Sequence, residues 1–452
     1  MPEDTICASA TPPINSPIAV VRITGPETYR AVKSIFNHTE KIRHRIAVYG
    51  SVIHKDELID DVVLVYYESP NSFTGEDMAE ISCHGSPIIV RKIIRILNEL
   101  DIRIAEPGEF SKRSFLNGKI DLTEAEAINH IITARSDWEV SAAIKQMHGA
   151  LHNKVNAIRD LIIHLKADIE AGIDFIEENI EFISNEDAIV QLNEIKALLK
   201  DLQKRCRIGE KISHGIDIPI VGRPNVGKSS ILNLILNKER AIVTDIPGTT
   251  RDIINEIVQF AGVPVNLMDT AGITDTNCAI EQKGIELSGK KIETASIVIV
   301  VIDAGSGVTD SDLEIIESIK NKKAIILANK IDLVSDRNKA MSVIEKKTGK
   351  VIHFSAKTGE GLSLLEQSVA EIFKNEFVDY NNSFIADMRV INILEKAVSI
   401  IEEAERLLLL KEPQEILAFL LQSLIDCFSE ITGEISPDDV LNSIFGRFCI
   451  GK

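Results

Sequence analysis

The segment GRPNVGKS, residues 222–229, constrains this chain more than any other. It fits the pattern Gly-x-x-x-x-Gly-Lys-Ser and directly follows the apolar run IDIPIV (216–221). A strand that leads into a glycine-rich loop and then a helix points backbone N–H groups at a phosphate chain. In such a loop Lys228 reaches the outer phosphates and the Ser229 hydroxyl holds Mg²⁺. The segment therefore predicts a strand, a phosphate loop and a helix.

Three further motifs follow in the order that a GTPase needs. DTAG (269–272) comes after VPVNLM, NKID (329–332) after AIILA, and SAK (355–357) after VIHF. Asp332 can accept hydrogen bonds from N1–H and the 2-amino group of guanine, a pair of donors that adenine lacks. The sequence thus predicts a guanine-nucleotide site. Its nucleotide-binding residues are Asn225, Val226, Gly227, Lys228, Ser229, Ser230, Thr244, Asp245, Ile246, Pro247, Gly248, Thr249, Thr250, Asp269, Thr270, Ala271, Gly272, Asn329, Lys330, Asp332, Ser355, Ala356 and Lys357.

The groups that would drive hydrolysis are less evident. Ile273 stands after Gly272, where Ras-type sites place a water-orienting glutamine, so another residue must supply that function or hydrolysis is very slow. Arg251 is a candidate for a catalytic arginine by position only. The side chain of Asn225 would either help to bind a monovalent cation or simply tolerate a tight turn. A hydroxyl of Thr249 or Thr250 can complete the Mg²⁺ shell.

Composition limits the class of protein. The 452 residues carry a formal charge of −18, which argues against non-specific coating of nucleic acid but not against a structured RNA bound by a local basic patch. No run of eighteen apolar residues and no signal peptide is expected, so we predict no membrane span. The six scattered cysteines favour a reducing, cytoplasmic compartment.

The pattern of apolar residues predicts a multidomain α+β chain. Residues 1–118 form a small α+β domain, 119–210 and 376–452 form two parts of one α-helical domain, and 211–375 form an inserted α/β P-loop domain of Ras-like type. Insertion of this kind is tolerated because the termini of a domain are often close together.

Long segments of the chain resemble the family of tRNA-modifying GTPases called MnmE or TrmE. They include PNSFTGEDMAEISCHG (70–85), EPGEFSKRSFLNGKIDLTEAEAI (106–128), TDIPGTTRD (244–252) and FCIGK (448–452). The resemblance implies a potassium-dependent GTPase, with K⁺ held by Asn225, Thr244, Ile246 and Thr249, and Mg²⁺ by Ser229 and Thr250. It also implies catalytic roles for Lys228 and for Glu281, which would position the attacking water.

The same resemblance implies a folate-binding amino-terminal domain that forms a constitutive homodimer. Arg22, Glu80, Lys119 and Lys452 would hold a 5-formyl or 5,10-methylene tetrahydrofolate. Cys449 would be a functional cysteine, with a buried structural thiol as the alternative.

The implied function is addition of a carboxymethylaminomethyl-type group at C5 of the wobble uridine of tRNA. The partner would be the flavoprotein MnmG (GidA), which carries FAD, in a hetero-tetramer. Two alternatives stay open: a GTPase switch for ribosome assembly, and a folate-binding scaffold that uses GTP only for assembly.

Overall fold

The computed structural model describes residues 4–38, 41–174, 183–240, 257–260, 262–269, 295, 297–376, 382–435 and 437–451. The chain divides into two compact units. The first, here the amino-terminal unit, comprises Met1–Asn129, Gln146–Lys196 and Lys396–Lys452. The second, here the nucleotide unit, comprises His130–Lys145 and Ala197–Glu395. The predicted domain limits differ from this division and stay predictions.

The amino-terminal unit contains a mixed sheet with the order β3-β4-β5-β6-β2-β1-β7. Each neighbouring pair is antiparallel except β1 and β7. The strands are β1 Ile6–Ser9, β2 Ser16–Thr24, β3 Phe36–Asn37, β4 Ala47–His54, β5 Glu57–Tyr67, β6 Met78–Gly85 and β7 Arg103–Ile104.

Every second residue along the strands points to one face of this sheet, and that face is buried. Val62 and Leu64 in β5 are buried and join a core to which helices α1 (Thr28–Ile35) and α2 (Pro87–Glu99) contribute. The opposite face carries exposed Tyr49 and Val63, which are direct cross-strand partners. One face is thus a protein core, while the other presents apolar side chains at the surface.

Helices account for most of the other described segments. They are α3 Glu109–Leu116, α4 Leu122–Thr133, α5 Asp137–Met147, α6 Ala150–Asp174, α7 Asn185–Ser213, α8 Lys228–Arg240, α9 Asp310–Ser318, α10 Arg337–Thr348, α11 Leu362–Glu376, α12 Met388–Leu409, α13 Gln414–Thr432 and α14 Asp438–Phe445. In the amino-terminal unit α6 packs along α13, and α14 packs on α3. Within the described residues no helix is both long and apolar enough to cross a bilayer.

The nucleotide unit contains a second sheet, with the order β13-β12-β11-β8-β10-β9. Its strands are β8 Ile216–Val221, β9 Ile257–Phe260, β10 Val263–Asp269, β11 Ile297–Asp303, β12 Lys323–Asn329 and β13 Val351–His353. All neighbours are parallel except the edge pair β9 and β10. Both faces of β11 are buried, in agreement with the six consecutive apolar residues, IVIVVI, that precede Asp303 in this strand.

The predicted multidomain α+β fold is confirmed, including an α/β P-loop unit preceded and followed by helices. The position of helix α5 was not predicted from its sequence. Trp138, Ala142 and Ala143 of α5 belong to the same buried cluster as Phe260 of β9. The amide of Gln259 in β9 also donates to a carboxylate oxygen of Asp137, at 2.9 Å.

Candidate functional site: the phosphate loop, the base-contacting loops and the Arg22–Glu80 cleft

The predicted phosphate loop begins at the carboxyl end of β8, which lies between β10 and β11. In open parallel sheets, ligands bind beyond the carboxyl ends of strands where the strand order reverses. Two loop glycines permit a close backbone approach. A Cβ on Gly222 (φ 154°) would lie 2.4 Å from the carbonyl oxygen of Val301, and one on Gly227 (φ 101°) would lie 2.3 Å from the amide nitrogen of Asn329. The loop thus has the bare backbone that a phosphate cradle needs.

Side chains of the loop divide into buried and exposed groups. The Lys228 ammonium is buried and donates to the carbonyl oxygens of Gly222 and Arg223, both at 2.9 Å. Asn225 adopts a left-handed backbone conformation (φ 63°), which asparagine tolerates better than most residues. This conformation agrees with the tight-turn interpretation, and the Asn225 side chain is exposed, as are Ser229 and Ser230.

Asn329 connects the three motifs of the site. Its amide nitrogen donates to the carbonyl oxygen of Val226 at 2.8 Å, and its amide oxygen accepts from the backbone N–H of Ala356 at 3.0 Å. Ser355 donates from its hydroxyl to a carboxylate oxygen of Asp332 at 2.7 Å. Asn329 is 1% exposed, so these bonds are protected from water. The NKID and SAK segments are therefore fixed beside the phosphate loop.

Lys330 makes a second connection through a residue that the sequence analysis missed. Its ammonium donates to the carbonyl oxygen of Asn225 and to a carboxylate oxygen of Asp303, both at 2.7 Å. Burial opposes the charge of Asp303, but hydrogen bonds from Lys330, Gly305 and Ser306 outweigh it and lower the pKa of that carboxyl. Asp303 ends β11, beside β8, and that position could have identified it.

Arg223 was also missed. Its guanidinium donates to a carboxylate oxygen of Asp312 at 2.9 Å and to the Ser306 hydroxyl at 3.1 Å. Asp312 is 1% exposed and accepts from the backbone N–H and the hydroxyl of Thr309 at the start of α9. Helix α9 thereby anchors the phosphate loop.

Part of the predicted nucleotide site lies outside the described residues. Asp269 ends β10, and Lys357 is exposed at the surface. The other predictions in this group are for residues that the structure does not describe: Thr244, Asp245, Ile246, Pro247, Gly248, Thr249, Thr250, Thr270, Ala271, Gly272 and Glu281.

The amino-terminal unit brings Arg22 and Glu80 together as cross-strand partners in β2 and β6. The Arg22 Nε donates to a carboxylate oxygen of Glu80 at 2.8 Å, and the Tyr67 hydroxyl donates to the other oxygen at 3.3 Å. Arg22 also donates to the carbonyl oxygen of Gly451 at 3.5 Å. We call this half-buried group, Arg22, Tyr67, Glu80 and Gly451, the Arg22–Glu80 cleft; the sequence analysis missed Tyr67.

The structure shows contacts for two of the three remaining predicted residues of this unit. Lys119 is exposed and donates to the carbonyl oxygen of Pro70 at 3.0 Å. Cys449 is exposed, so the buried structural thiol is excluded, and its carbonyl oxygen accepts from the N–H of Gly108 at 3.4 Å. The structure does not describe Lys452.

Comparison with known proteins identifies the family. The family described as "MnmE helical domain" matches residues 122–449, and "GTP-binding protein TrmE N-terminus" matches residues 5–119. Proteins named tRNA modification GTPase MnmE are 39% identical in Thermotoga sp. (strain RQ2) and 40% identical in Aquifex aeolicus (strain VF5). Each alignment covers 99% of this chain and 100% of the relative. The chain belongs to the MnmE family.

The MnmE resemblance predicted from the sequence is thus confirmed along nearly the whole chain. Among solved structures, Era in complex with MgGDPNP and nucleotides of 16S ribosomal RNA is 27% identical, with a TM-score of 0.29. That likeness covers 34% of this chain and 56% of Era. The MnmE assignment rests on the sequence relatives.

Proposed function

We propose that this chain hydrolyses GTP to GDP and phosphate in order to drive modification of the wobble uridine of tRNA. The observation that carries the proposal is the set of bonds around Asn329, which joins a guanine-type motif to a phosphate loop within a chain of the MnmE family. A buried carboxylate that pairs with N1–H and the 2-amino group selects guanine over adenine.

The residues of the loop suit the chemistry of phosphoryl transfer, which depends on positioning and on neutralising charge. Lys228 would turn its ammonium from the loop carbonyls to the outer phosphates. Ser229 and Thr250 would hold Mg²⁺, and Asn225, Thr244, Ile246 and Thr249 would hold K⁺. Held by these residues, the two cations would supply positive charge beside the departing phosphate, a role that an arginine plays in other GTPases. Glu281 would position the attacking water, because Ile273 cannot.

The Arg22–Glu80 cleft would bind a tetrahydrofolate that supplies the one-carbon unit. Its residues fit such a ligand, because a half-buried carboxylate can accept from the amide edge of a pterin and cations can meet the carboxylates of the glutamate tail. Lys119 and Lys452 would contribute such cations, and Cys449 would act near the cleft. The flavoprotein MnmG (GidA), with FAD and a reduced nicotinamide cofactor, would act on the same uridine.

A second copy of the chain is the proposed partner for the open face of the amino-terminal sheet. Tyr49 is 71% exposed and Ile18 is 61% exposed on the face opposite the core. Large apolar side chains grouped on one face of a sheet are typical of protein interfaces. Size measurement in solution, with Tyr49→Asp as the disrupting variant, tests the homodimer.

The decisive experiment is reconstitution with the flavoprotein, tRNA, GTP and folate labelled in its one-carbon unit. We expect the label to appear in the wobble nucleoside only when GTP is hydrolysed. If the chain were instead a switch for ribosome assembly, no label would enter the tRNA, and loss of the chain would alter ribosomal particles. Unchanged wobble uridines in cells that lack this chain would exclude the proposed function.

The cation dependence is a separate prediction. We expect GTP hydrolysis to be at least about tenfold faster in KCl than in NaCl at equal ionic strength, because a site-bound ion stabilises charge in the transition state. The variant Asn225→Ala should lose this difference while still binding GDP. Equal rates in the two salts for the unaltered protein would rule out a selective K⁺ site.

A further inference from the structure

Arg45 is held at the end of β5 in a backbone conformation that few side chains adopt. Its φ is 58°, and its N–H donates to the carbonyl oxygen of Tyr66 at 2.8 Å. The preceding residue, His44, accepts at its Nδ1 from the backbone N–H of Glu68 at 2.9 Å. A non-glycine residue stays in the left-handed region only where the surroundings enforce it, and such positions cluster at ligand sites.

The Arg45 side chain reaches the same turn as Lys119. Its guanidinium donates to the carbonyl oxygen of Asn71 at 3.3 Å, while the Lys119 ammonium donates to that of Pro70 at 3.0 Å. Pro70 and Asn71 are consecutive, so the two cations lie at neighbouring points of one turn. In the part of the chain that the structure describes, neither cation has an ion pair with a carboxylate. Their charges are therefore available to an anion from solution.

Lys119 is directed to this turn by its surroundings. Gly75 has a φ of 78°, and a Cβ there would lie 3.2 Å from Cγ of Lys119. The aliphatic part of the Lys119 side chain thus lies against the backbone at Gly75, where no side chain is present. The neighbouring Asn117 amide donates to the carbonyl oxygen of Thr74 at 2.8 Å and fixes the start of the segment.

The turn that holds the two cations follows the cleft residue Tyr67 in the chain, because Pro70 is the third residue after it. Burial raises the pKa of the Tyr67 phenol, as do the charge and hydrogen bond of Glu80, whereas the charges of Arg22 and Arg45 act in the opposite direction. Arg45 is joined to this part of β5 by a hydrogen bond, since its N–H donates to the carbonyl oxygen of Tyr66, and the next residue, Tyr67, donates to Glu80. Arg22 and Glu80 are engaged with each other, whereas Arg45 and Lys119 contact the Pro70–Asn71 turn.

We propose that Arg45 and Lys119 form a two-cation anchor for the carboxylates of the folate glutamate tail, and that the anchor selects tetrahydrofolates with more than one glutamate. This inference rests on the proposed folate function. A single glutamate offers two carboxylates, and each added glutamate places a further anion along the exposed turn. Charge-assisted bonds to Arg and Lys are stronger than neutral ones.

The test is to measure, by isothermal titration calorimetry at low and at high NaCl, how tightly the full chain binds 5-formyltetrahydrofolate and its triglutamate. We expect the triglutamate to bind about tenfold more tightly at low salt, which is the effect of one charge-assisted hydrogen bond. The preference should shrink at high salt because exposed charges are screened. Arg45→Gln and Lys119→Gln should each remove most of it, and Arg45→Lys should retain part.

Arg30→Gln is the matched control, because Arg30 is an exposed arginine of the same unit that pairs with Glu27 in helix α1. It should keep the preference, and melting curves should show that all variants fold. If the unaltered protein binds neither ligand, the proposed folate function itself fails and the anchor with it. If the unaltered protein binds the monoglutamate and the triglutamate equally, the proposed anchor is wrong while the folate function stands. The same conclusion follows if Arg45→Gln keeps the preference for the triglutamate, or if this variant weakens only tRNA binding.

Discussion

At the scale of single residues, the site depends on a glycine whose missing side chain leaves room for a neighbouring amide. Gly227 has no Cβ, and this leaves space for the Asn329 amide that fixes the base-contacting loop to the phosphate loop. A side chain at this position would disturb both the phosphate cradle and the orientation of Asn329.

We predict that Gly227→Ala abolishes tight guanine-nucleotide binding, with at least about a hundredfold loss of affinity, because the new methyl would lie 2.3 Å from that amide nitrogen. Gly307→Ala is the control. Gly307 also has a positive φ, of 69°, but has nothing within 4 Å of the added methyl. Binding of a fluorescent GDP analogue measures both. Equal losses in the two variants would show that backbone strain, not the contact, controls affinity.

The sequence analysis selected these residues because each motif has a required chemistry, and their roles in nucleotide binding stay predictions. Gly222, Lys228, Asn329 and Asp332 lie together as the order of motifs predicted. Asp303 and Arg223 were not predicted, because an aspartate after a strand and an arginine in a variable loop position have many possible partners. The register of β11 beside β12 sets Asp303 opposite Asn329 and so next to its partner Lys330, and the position of α9 brings Asp312 to Arg223.

At the scale of elements, helix α5 packs with a sheet that is far from it in sequence. Its sequence shows that Trp138, Ala142 and Ala143 share a face, but periodicity cannot tell which surface that face covers. The structure places them against the edge strand β9, where Gln259 donates to Asp137. Residues 130–145 therefore belong to the nucleotide unit, although they precede its first strand by a long helical stretch.

This packing makes the one tryptophan of the chain a reporter for the nucleotide unit. We predict that GDP at about 100 times its Kd stabilises that unit by about 2.7 kcal/mol and moves the tryptophan fluorescence transition to higher urea concentration. The control ligand is 5-formyltetrahydrofolate, which should leave this transition in place. If GDP did not shift the urea concentration of the tryptophan fluorescence transition, the packing of α5 on β9 would be contradicted.

At the scale of the whole molecule, a buried ion-pair network helps to hold the amino-terminal unit together. The amino-terminal unit contains an arginine that is 1% exposed, Arg113, which donates to carboxylate oxygens of Asp4 at 2.7 Å and Glu109 at 2.9 Å. Burial opposes charge on both carboxyls, but hydrogen bonds from Arg103 and Arg113 outweigh it and lower the pKa of each. Removal of one partner from such a network leaves a buried charge less satisfied.

We predict that Glu109→Gln lowers the free energy of unfolding of this unit by about 1–3 kcal/mol at pH 7. A carboxyl whose pKa is lowered by folding stabilises the protein above its unfolded pKa, near 4, and this contribution disappears as the pH falls through the lowered value. The difference in unfolding free energy between Glu109→Gln and the unaltered protein should therefore narrow as the pH falls below about 4. Urea titration followed by circular dichroism measures it.

Glu57→Gln supplies the control, since Glu57 forms an exposed pair with Lys92 in the same unit and should matter less. A difference that stays constant from neutral to acid pH would show that Glu109 acts through packing and not through its charge.

The pairing of residue 107 with residue 450 has a consequence for biosynthesis. Pro107 bridges to Ile450, Gly108 donates to Cys449, and Gly451 supplies the carbonyl oxygen that Arg22 contacts. At about 5–20 residues per second, the ribosome makes Ile450 on the order of tens of seconds after Pro107. Throughout that interval the amino-terminal sheet lacks the contacts that residues 449–451 supply. If the Arg22–Glu80 cleft binds the proposed ligand, tight binding would have to wait until those residues have been made.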